Sequence, residues 1–164
     1  MPAPDLTLPE IYLGPGEVFL ACVPTIIGTI LGSCVGMTFW CSRLGVGALC
    51  HCTLPRCPDP ATQVTSMAAG YRYVDSCIRN LASEFDRLGA LRCEVEVKLF
   101  GGADVLFVDH LNRRPTVGKQ NSEAAIQVLG DEGYRVAAFS VGDTFGRKIS
   151  FNTANGEVRV LRLT

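Results

Sequence analysis

The sequence lacks a charge excess of either sign. Its 164 residues contain 15 Lys and Arg against 16 Asp and Glu, which gives a formal net charge of −1. Proteins that bind nucleic acid or anionic membrane surfaces usually carry a surplus of basic residues. We therefore predict no nucleic-acid partner, and any other partner has to be inferred from a local site.

The sequence also lacks the marks of secretion. Its first residues contain no basic segment and no small-residue cleavage site after an early apolar stretch. Eight cysteines are many for this length, but without a secretory signal we expect reduced thiols in a cytoplasmic protein rather than a disulfide framework.

A metal site is not predicted either, although four possible ligands lie close together in the sequence: Cys50, His51, Cys52 and Cys57. Their spacing matches no paired Cys-x-x-Cys pattern. Because side chains alternate along a strand, Cys50 and Cys52 face one side and His51 the other, so the three cannot converge on one ion. We expect the remaining cysteines, Cys77 among them, to act as small core residues.

Residues 18–42 contain no charged side chain, and this stretch is long enough for a membrane helix. Pro24 interrupts it, however, and its many β-branched residues and glycines favour buried strands joined by a tight turn. We therefore predict no membrane insertion.

The remaining patterns predict one α+β domain with a mostly antiparallel, strand-rich sheet and two or more helices. Apolar residues recur every three or four positions from Met67 to Leu88, as on an amphipathic helix that ends at Gly89. Asn121 is a candidate N-cap for a short second helix. We expect residues 1–13 to form a surface extension and residues 14–164 to form the domain.

Cys34 is the candidate nucleophile. It follows Gly32 and Ser33 between two apolar strands, where a bend exposes a thiol, and glycine lets a substrate carbonyl approach the backbone. His51 lies on a neighbouring predicted strand and is the natural base for that thiol. Packing roles explain both residues equally well on spacing alone, because cysteine is among the most buried residue types.

Several segments, taken in order, resemble the CheD family of chemoreceptor glutamine deamidases. Residues 29–35 (TILGSCV) are similar to the family's nucleophile segment, and residues 47–55 (GALCHCTLP) to its histidine segment. The other matching segments are residues 72–75 (RYVD), 98–103 (KLFGGA), 118–121 (GKQN), 141–142 (VG) and 146–148 (GRK).

This resemblance implies a layered α/β sandwich related to cysteine deamidases of the bacterial toxin type. It implies that Cys34 is the nucleophile and His51 the general base, with oxyanion donors near Gly32 and Ser33 and no cofactor. The expected reaction converts glutamines of chemoreceptor cytoplasmic helices to glutamate.

The resemblance also implies a third site residue, a threonine five or six positions before the cysteine. Thr29 stands five positions before Cys34, whereas Gly28 stands six before it. A one-residue offset in a strand turns a side chain to the opposite face, so the sequence leaves the role of Thr29 open. Two further positions depart from the family pattern: Gln120, where arginine is usual, and Asp143, where glycine is common.

Two other functions fit the same resemblance. One is a binding module that has lost turnover and regulates a CheC-type phosphatase, a partner that the family implies. The other is esterase action on methylated glutamates, which uses the same thiol chemistry.

Overall fold

Three layers of secondary structure make up the part of the chain that this computed structural model describes, residues 7–59, 71–105 and 114–164. Within these residues we number nine strands and two helices: β1 (Glu10–Leu13), β2 (Val18–Ala21), β3 (Ile26–Leu31), β4 (Val35–Cys41), β5 (Val46–Cys52), α1 (Val74–Arg87), β6 (Val95–Gly101), α2 (Val117–Asp131), β7 (Val136–Val141), β8 (Gly146–Asn152) and β9 (Val158–Leu163). The predicted α+β sandwich, rich in strands, is confirmed.

The strands form two mixed sheets. One has the order β1-β3-β8-β9, and the other has the order β2-β5-β4-β6-β7. Only the β1–β3 and β6–β7 pairs are parallel among the strand pairs of the described residues. The mostly antiparallel arrangement is therefore as predicted.

Strand β5 lies inside the five-stranded sheet and is buried on both faces. Cys50 and Cys52 belong to the core layer under the helices, whereas Leu49 packs with Ile27 and Phe151 of the other sheet. Alternation along one strand thus sends neighbouring side chains into two different layers.

The apolar stripe predicted for the first helix is present in α1. Its buried apolar side chains all face the five-stranded sheet: Val74, Cys77, Ile78, Leu81, Ala82 and Phe85. The helix stops as predicted, because Gly89 has a φ of +87°, a conformation that glycine adopts without strain. Met67 lies outside the described residues.

The uncharged stretch forms strands and not a membrane helix. It contains β2, β3 and β4, so the preference for buried strands is confirmed. Neither helix of the described residues has the length and apolar character needed to span a bilayer.

The predicted surface extension needs a correction. Residues Glu10–Leu13 form β1, which pairs in parallel with β3, and Leu13 is buried. The prediction for Glu10–Leu13 is wrong. The prolines suggested an irregular segment, but these residues pair with β3, which begins at Ile26 and is distant in the sequence. Residues 1–6 lie outside the described part of the chain.

The second helix also begins earlier than predicted. Its N-cap is Thr116, whose hydroxyl accepts a hydrogen bond from the Lys119 N–H at 3.2 Å. Asn121 is therefore not a cap. It lies one turn inside α2 and is completely buried, which gives it a different task.

Candidate active site

Cys34 lies at the end of the tight turn between β3 and β4. Its half-buried side chain packs against a small apolar cluster between the two sheets, formed by Leu31, Phe100 and Ile149. The thiol therefore faces the inter-sheet layer at the edge of the structure.

Two carbonyls of this turn are held by the end of β6. The Ala103 N–H donates to the Gly32 carbonyl at 2.9 Å, and the Gly102 N–H donates to the Cys34 carbonyl at 2.9 Å. Gly101 and Gly102 both have positive φ, and a Cβ on Gly101 would overlap the Cys34 carbonyl. The glycine pair is needed because the two backbones run so close together.

The third carbonyl of the turn is held by α2. The side-chain Nδ2 of Asn121 donates to the Ser33 carbonyl at 3.0 Å and to the Thr53 carbonyl, just after β5, at 3.1 Å. One amide group thus ties the turn that carries Cys34, called here the nucleophile turn, to β5, the strand that carries His51. Gly118 lets the helix approach, since a Cβ there would be 2.7 Å from the Gly102 carbonyl oxygen.

Capture of these carbonyls also fixes the direction of the turn's amide groups. In a planar trans peptide, the carbonyl and the following N–H point in opposite directions. The N–H groups of Ser33 and Cys34 are therefore directed away from β6 and α2. Such backbone donors beside a nucleophile are suited to stabilise an oxyanion.

His51 shares a face with Cys34. It pairs across the ladder with Gly36 of β4, and Cys34 precedes Gly36 by two residues, which is the spacing of side chains on one face. The space beside Gly36 is filled by the side chain of Leu31, because a Cβ on Gly36 would lie 2.9 Å from Cδ1 of Leu31. The structure thus brings the predicted nucleophile and base to the same side of the sheet.

Thr29 is the third member of this group. Along β3, Ile27, Thr29 and Leu31 are buried, whereas Gly28 lies on the other face of the strand. The Oγ1 atom of Thr29 lies 2.7 Å from Nδ1 of His51. The threonine five positions before the cysteine therefore contacts the imidazole, and Gly28 does not replace it.

The two contacts of the Thr29 hydroxyl indicate which imidazole nitrogen carries the proton. It donates its only proton to the Leu13 carbonyl of β1 at 2.9 Å, so it can only accept from Nδ1–H of His51. In the neutral imidazole the other nitrogen, Nε2, is then unprotonated and free to take a proton. Strand β1 thus determines the tautomer of the candidate base.

Comparisons with known proteins show which family the chain resembles. The family model described as CheD chemotactic sensory transduction matches residues 56–162. A Geobacter sulfurreducens protein named probable chemoreceptor glutamine deamidase CheD 2 is 43% identical, and the match covers 95% of this chain and 91% of that protein.

The chain belongs to the CheD family.

Two further relatives carry the name probable chemoreceptor glutamine deamidase CheD. The protein from Maridesulfovibrio salexigens is 34% identical, with 99% of this chain and 97% of the relative covered. The one from Thermococcus kodakarensis is also 34% identical, with 94% of each chain covered. The family-model match begins after Cys34 and His51, so their roles depend on the geometry above.

Burial keeps both candidate reacting groups of this CheD-family chain uncharged. It raises the pKa of the Cys34 thiol, and the backbone N–H of Cys34 opposes this only in part. Burial also lowers the pKa of His51, against smaller opposite effects of Cys50 and Glu17. At neutral pH the site therefore holds a thiol and a neutral imidazole, and His51 is ready to act as a base.

A buried arginine, Arg147, supports the turn that carries Cys34. Arg147 of β8 donates to the Ser140 hydroxyl and to the Gly142 carbonyl, both at 3.0 Å. Its register partner in β3 is Leu31, directly before the turn. The exposed carboxylate of Asp143 lies 3.7 Å from the guanidinium group as a counter-ion. Arg147 thus connects the two sheets beside Cys34.

Sequence reasoning missed the structural roles of Asn121 and Arg147. Each belongs to a segment that matches the family, but only the tertiary structure shows that Asn121 bridges two carbonyls and that Arg147 is buried. A polar residue among the apolar positions of a helix was the available signal for Asn121.

The two departures from the family pattern lie outside the reacting groups. Asp143 has a φ of +60°, a left-handed conformation that suits glycine and that aspartate tolerates better than most residues. Gln120 is exposed, and its amide donates to the Pro115 carbonyl before α2 at 2.8 Å. Arg114, before α2, and Lys119, in its first turn, are also exposed.

We predict that Cys34 shows no low-pH thiolate. Because burial raises its pKa, alkylation by iodoacetamide should still accelerate with pH beyond about 8.5, the usual range of a thiol. Mass spectrometry of the Cys34 peptide, with the exposed Cys93 as an internal reference, measures this. A rate at Cys34 that is already constant below pH 7 would show a preformed thiolate–imidazolium pair.

We also predict that Asn121→Asp destabilises the protein by about 2–4 kcal/mol, because it replaces a buried donor between two carbonyls with an acceptor. The matched control is Gln120→Glu on the exposed face of the same helix, where the change should stay within about 0.5 kcal/mol. Urea unfolding gives both values. An equal decrease in the free energy of unfolding in the two variants would contradict the bridging role of Asn121.

Proposed function

We propose that this protein is a chemoreceptor glutamine deamidase, a cysteine-dependent protein-glutamine glutaminase. The observation that carries the proposal is the contact between Thr29 and His51 at 2.7 Å, which leaves Nε2 of the imidazole free on the face that it shares with Cys34. The names of the relatives support the substrate assignment.

The chemistry begins with proton transfer from the Cys34 thiol to Nε2 of His51. The sulfur attacks the side-chain amide carbon of a glutamine and forms a tetrahedral intermediate, while the imidazole becomes imidazolium. His51 then gives this proton to the departing nitrogen, and ammonia leaves. The product of this half-reaction is a thioester between Cys34 and the substrate.

Water completes the reaction. His51, neutral again, takes a proton from a water molecule that attacks the thioester carbon. The thiolate leaves and is reprotonated by His51, so glutamate is released and the enzyme returns to its starting state. The proton balance closes without a cofactor.

The N–H groups of Ser33 and Cys34 are the proposed oxyanion donors, with Gly32 providing room for the substrate. They point away from the partners that hold the turn's carbonyls, so they are oriented before the substrate arrives. Such preorganised donors stabilise the transition state more than the ground state.

The proposed substrate is the cytoplasmic domain of a chemoreceptor, which places the protein in the cytoplasm. We assign the activity to a single domain that starts at β1 rather than at residue 14, because the Leu13 carbonyl holds Thr29. A CheC-type phosphatase is the proposed regulatory partner, as the family resemblance implies.

The decisive test is mass spectrometry of chemoreceptor cytoplasmic fragments after incubation with the wild-type protein and with Cys34→Ala. We expect conversion of defined glutamines to glutamate by the wild type only. Fragments carrying methylated glutamates, tested in parallel, distinguish ester from amide hydrolysis.

Two results would contradict the proposal. Equal conversion by Cys34→Ala would remove the nucleophile assignment. Absence of conversion on all fragments, with a protein whose fold is verified by circular dichroism, would favour the phosphatase-binding module instead.

We further predict that Thr29→Val lowers kcat by about 10-fold to 100-fold with little change in KM, because the imidazole loses the acceptor that fixes its tautomer. Thr29→Ser retains the hydroxyl and should stay within a few-fold of the wild type. Steady-state deamidation kinetics of both variants measure the difference. Similar kcat values for the two variants would show that Thr29 contributes packing alone and does not orient the imidazole.

A further inference from the structure

Three thiols meet in the core on the opposite face of β5 from His51. The Sγ atoms of Cys50, Cys52 and Cys77 all lie within 4.8 Å of one another, and all three residues are completely buried. No other group of three possible metal ligands of this kind occurs among the described residues. The proposed deamidation mechanism uses none of these thiols.

The fold explains why they converge. Cys50 and Cys52 are two residues apart on β5 and therefore point into the same layer, under the helices. Cys77 lies in the first turn of α1 on the stripe that faces the sheet. The thiol of Cys50 donates to the Met37 carbonyl of β4 at 3.7 Å, which holds it in this layer.

The spacing is close to that of a metal-thiolate site. Metal–sulfur bonds of about 2.3 Å place two sulfur ligands of one ion about 3.8–4.0 Å apart. Since the three sulfurs lie within 4.8 Å, a contraction on the order of 1 Å or less brings them to one ion. Side-chain rotation of three small residues is sufficient for such a movement.

The number and type of ligands indicate which kind of ion fits. Zinc in a structural site takes four ligands, whereas this group contains three cysteines and no fourth His, Asp or Glu among the described residues. Three sulfur ligands are sufficient for Cu(I), and soft thiolates favour this ion over harder cations.

We propose that Cys50, Cys52 and Cys77 form a binding site for a soft monovalent cation of the Cu(I) class. On binding, the thiols that become ligands release their protons to solvent and form metal–sulfur bonds as thiolates. No electron transfer is needed. Soft sulfur ligands favour Cu(I) over harder cations.

An ion bound in this site would restrain the backbone next to the proposed catalytic base, His51. Cys50 and Cys52 are the two chain neighbours of His51, and both pair with β4 in the sheet. An ion that connects these cysteines to α1 restrains the backbone that carries the imidazole. The site is nevertheless separate from Cys34, so it is testable without turnover.

The test uses a full-length background variant in which the four exposed or half-buried cysteines, Cys22, Cys34, Cys57 and Cys93, are replaced by serine. This variant is titrated anaerobically with Cu(I), and with Ag(I) as a redox-inert probe. Native mass spectrometry gives the stoichiometry, and ultraviolet thiolate-to-metal charge transfer reports coordination. The site predicts one equivalent of either ion.

Two substitutions in this background locate the site. Cys77→Ala should abolish binding, whereas Cys41→Ala, at another completely buried cysteine of the same core layer, should leave it unchanged. If Cys77→Ala does not fold, Cys52→Ala replaces it. Absence of binding, binding that survives loss of Cys77, or tighter binding of Zn²⁺ than of Cu(I) would overturn the proposal.

Discussion

The need to satisfy three consecutive carbonyl groups organises the nucleophile turn and the elements around it. Buried carbonyls require donors, and those of Gly32, Ser33 and Cys34 find them in the end of β6 and in one amide of α2. This requirement explains the glycine pair after β6 and the burial of Asn121. It also frees the turn's own N–H groups for a substrate, so the same contacts that stabilise the turn prepare it for chemistry.

A second constraint acts on the base. A hydroxyl has one proton, and because Thr29 gives it to Leu13, the imidazole of His51 must donate to Thr29 and present its free nitrogen elsewhere. In the proposed mechanism, the neutral Thr29 orients the imidazole as a carboxylate does in many hydrolases, but it adds no negative charge to a buried layer. This agrees with a site in which burial keeps both the thiol and the imidazole uncharged.

Local patterns predicted much of this molecule. The apolar stripe of α1, the strands of residues 18–42 and the opposite orientations of His51 and its neighbouring cysteines all follow from the periodicity of side chains along an element. What the sequence alone did not predict depends on contacts between distant segments. Strand β1 exists because it pairs with β3, and Cys77 joins Cys50 only because α1 packs across β5. No local sequence pattern predicts such contacts between distant segments.

The bridge made by Asn121 has a consequence for how the protein is made. It joins residues separated by 88 positions at Ser33 and by 68 at Thr53, so the nucleophile turn is secured only after α2 has been synthesised and packed. Contacts across such long loops form late, because the entropy of loop closure comes first. A nascent chain therefore carries Cys34 and His51 long before it holds them in a working arrangement. The bridge between the turn that carries Cys34 and the end of β5 therefore forms only after α2 has packed.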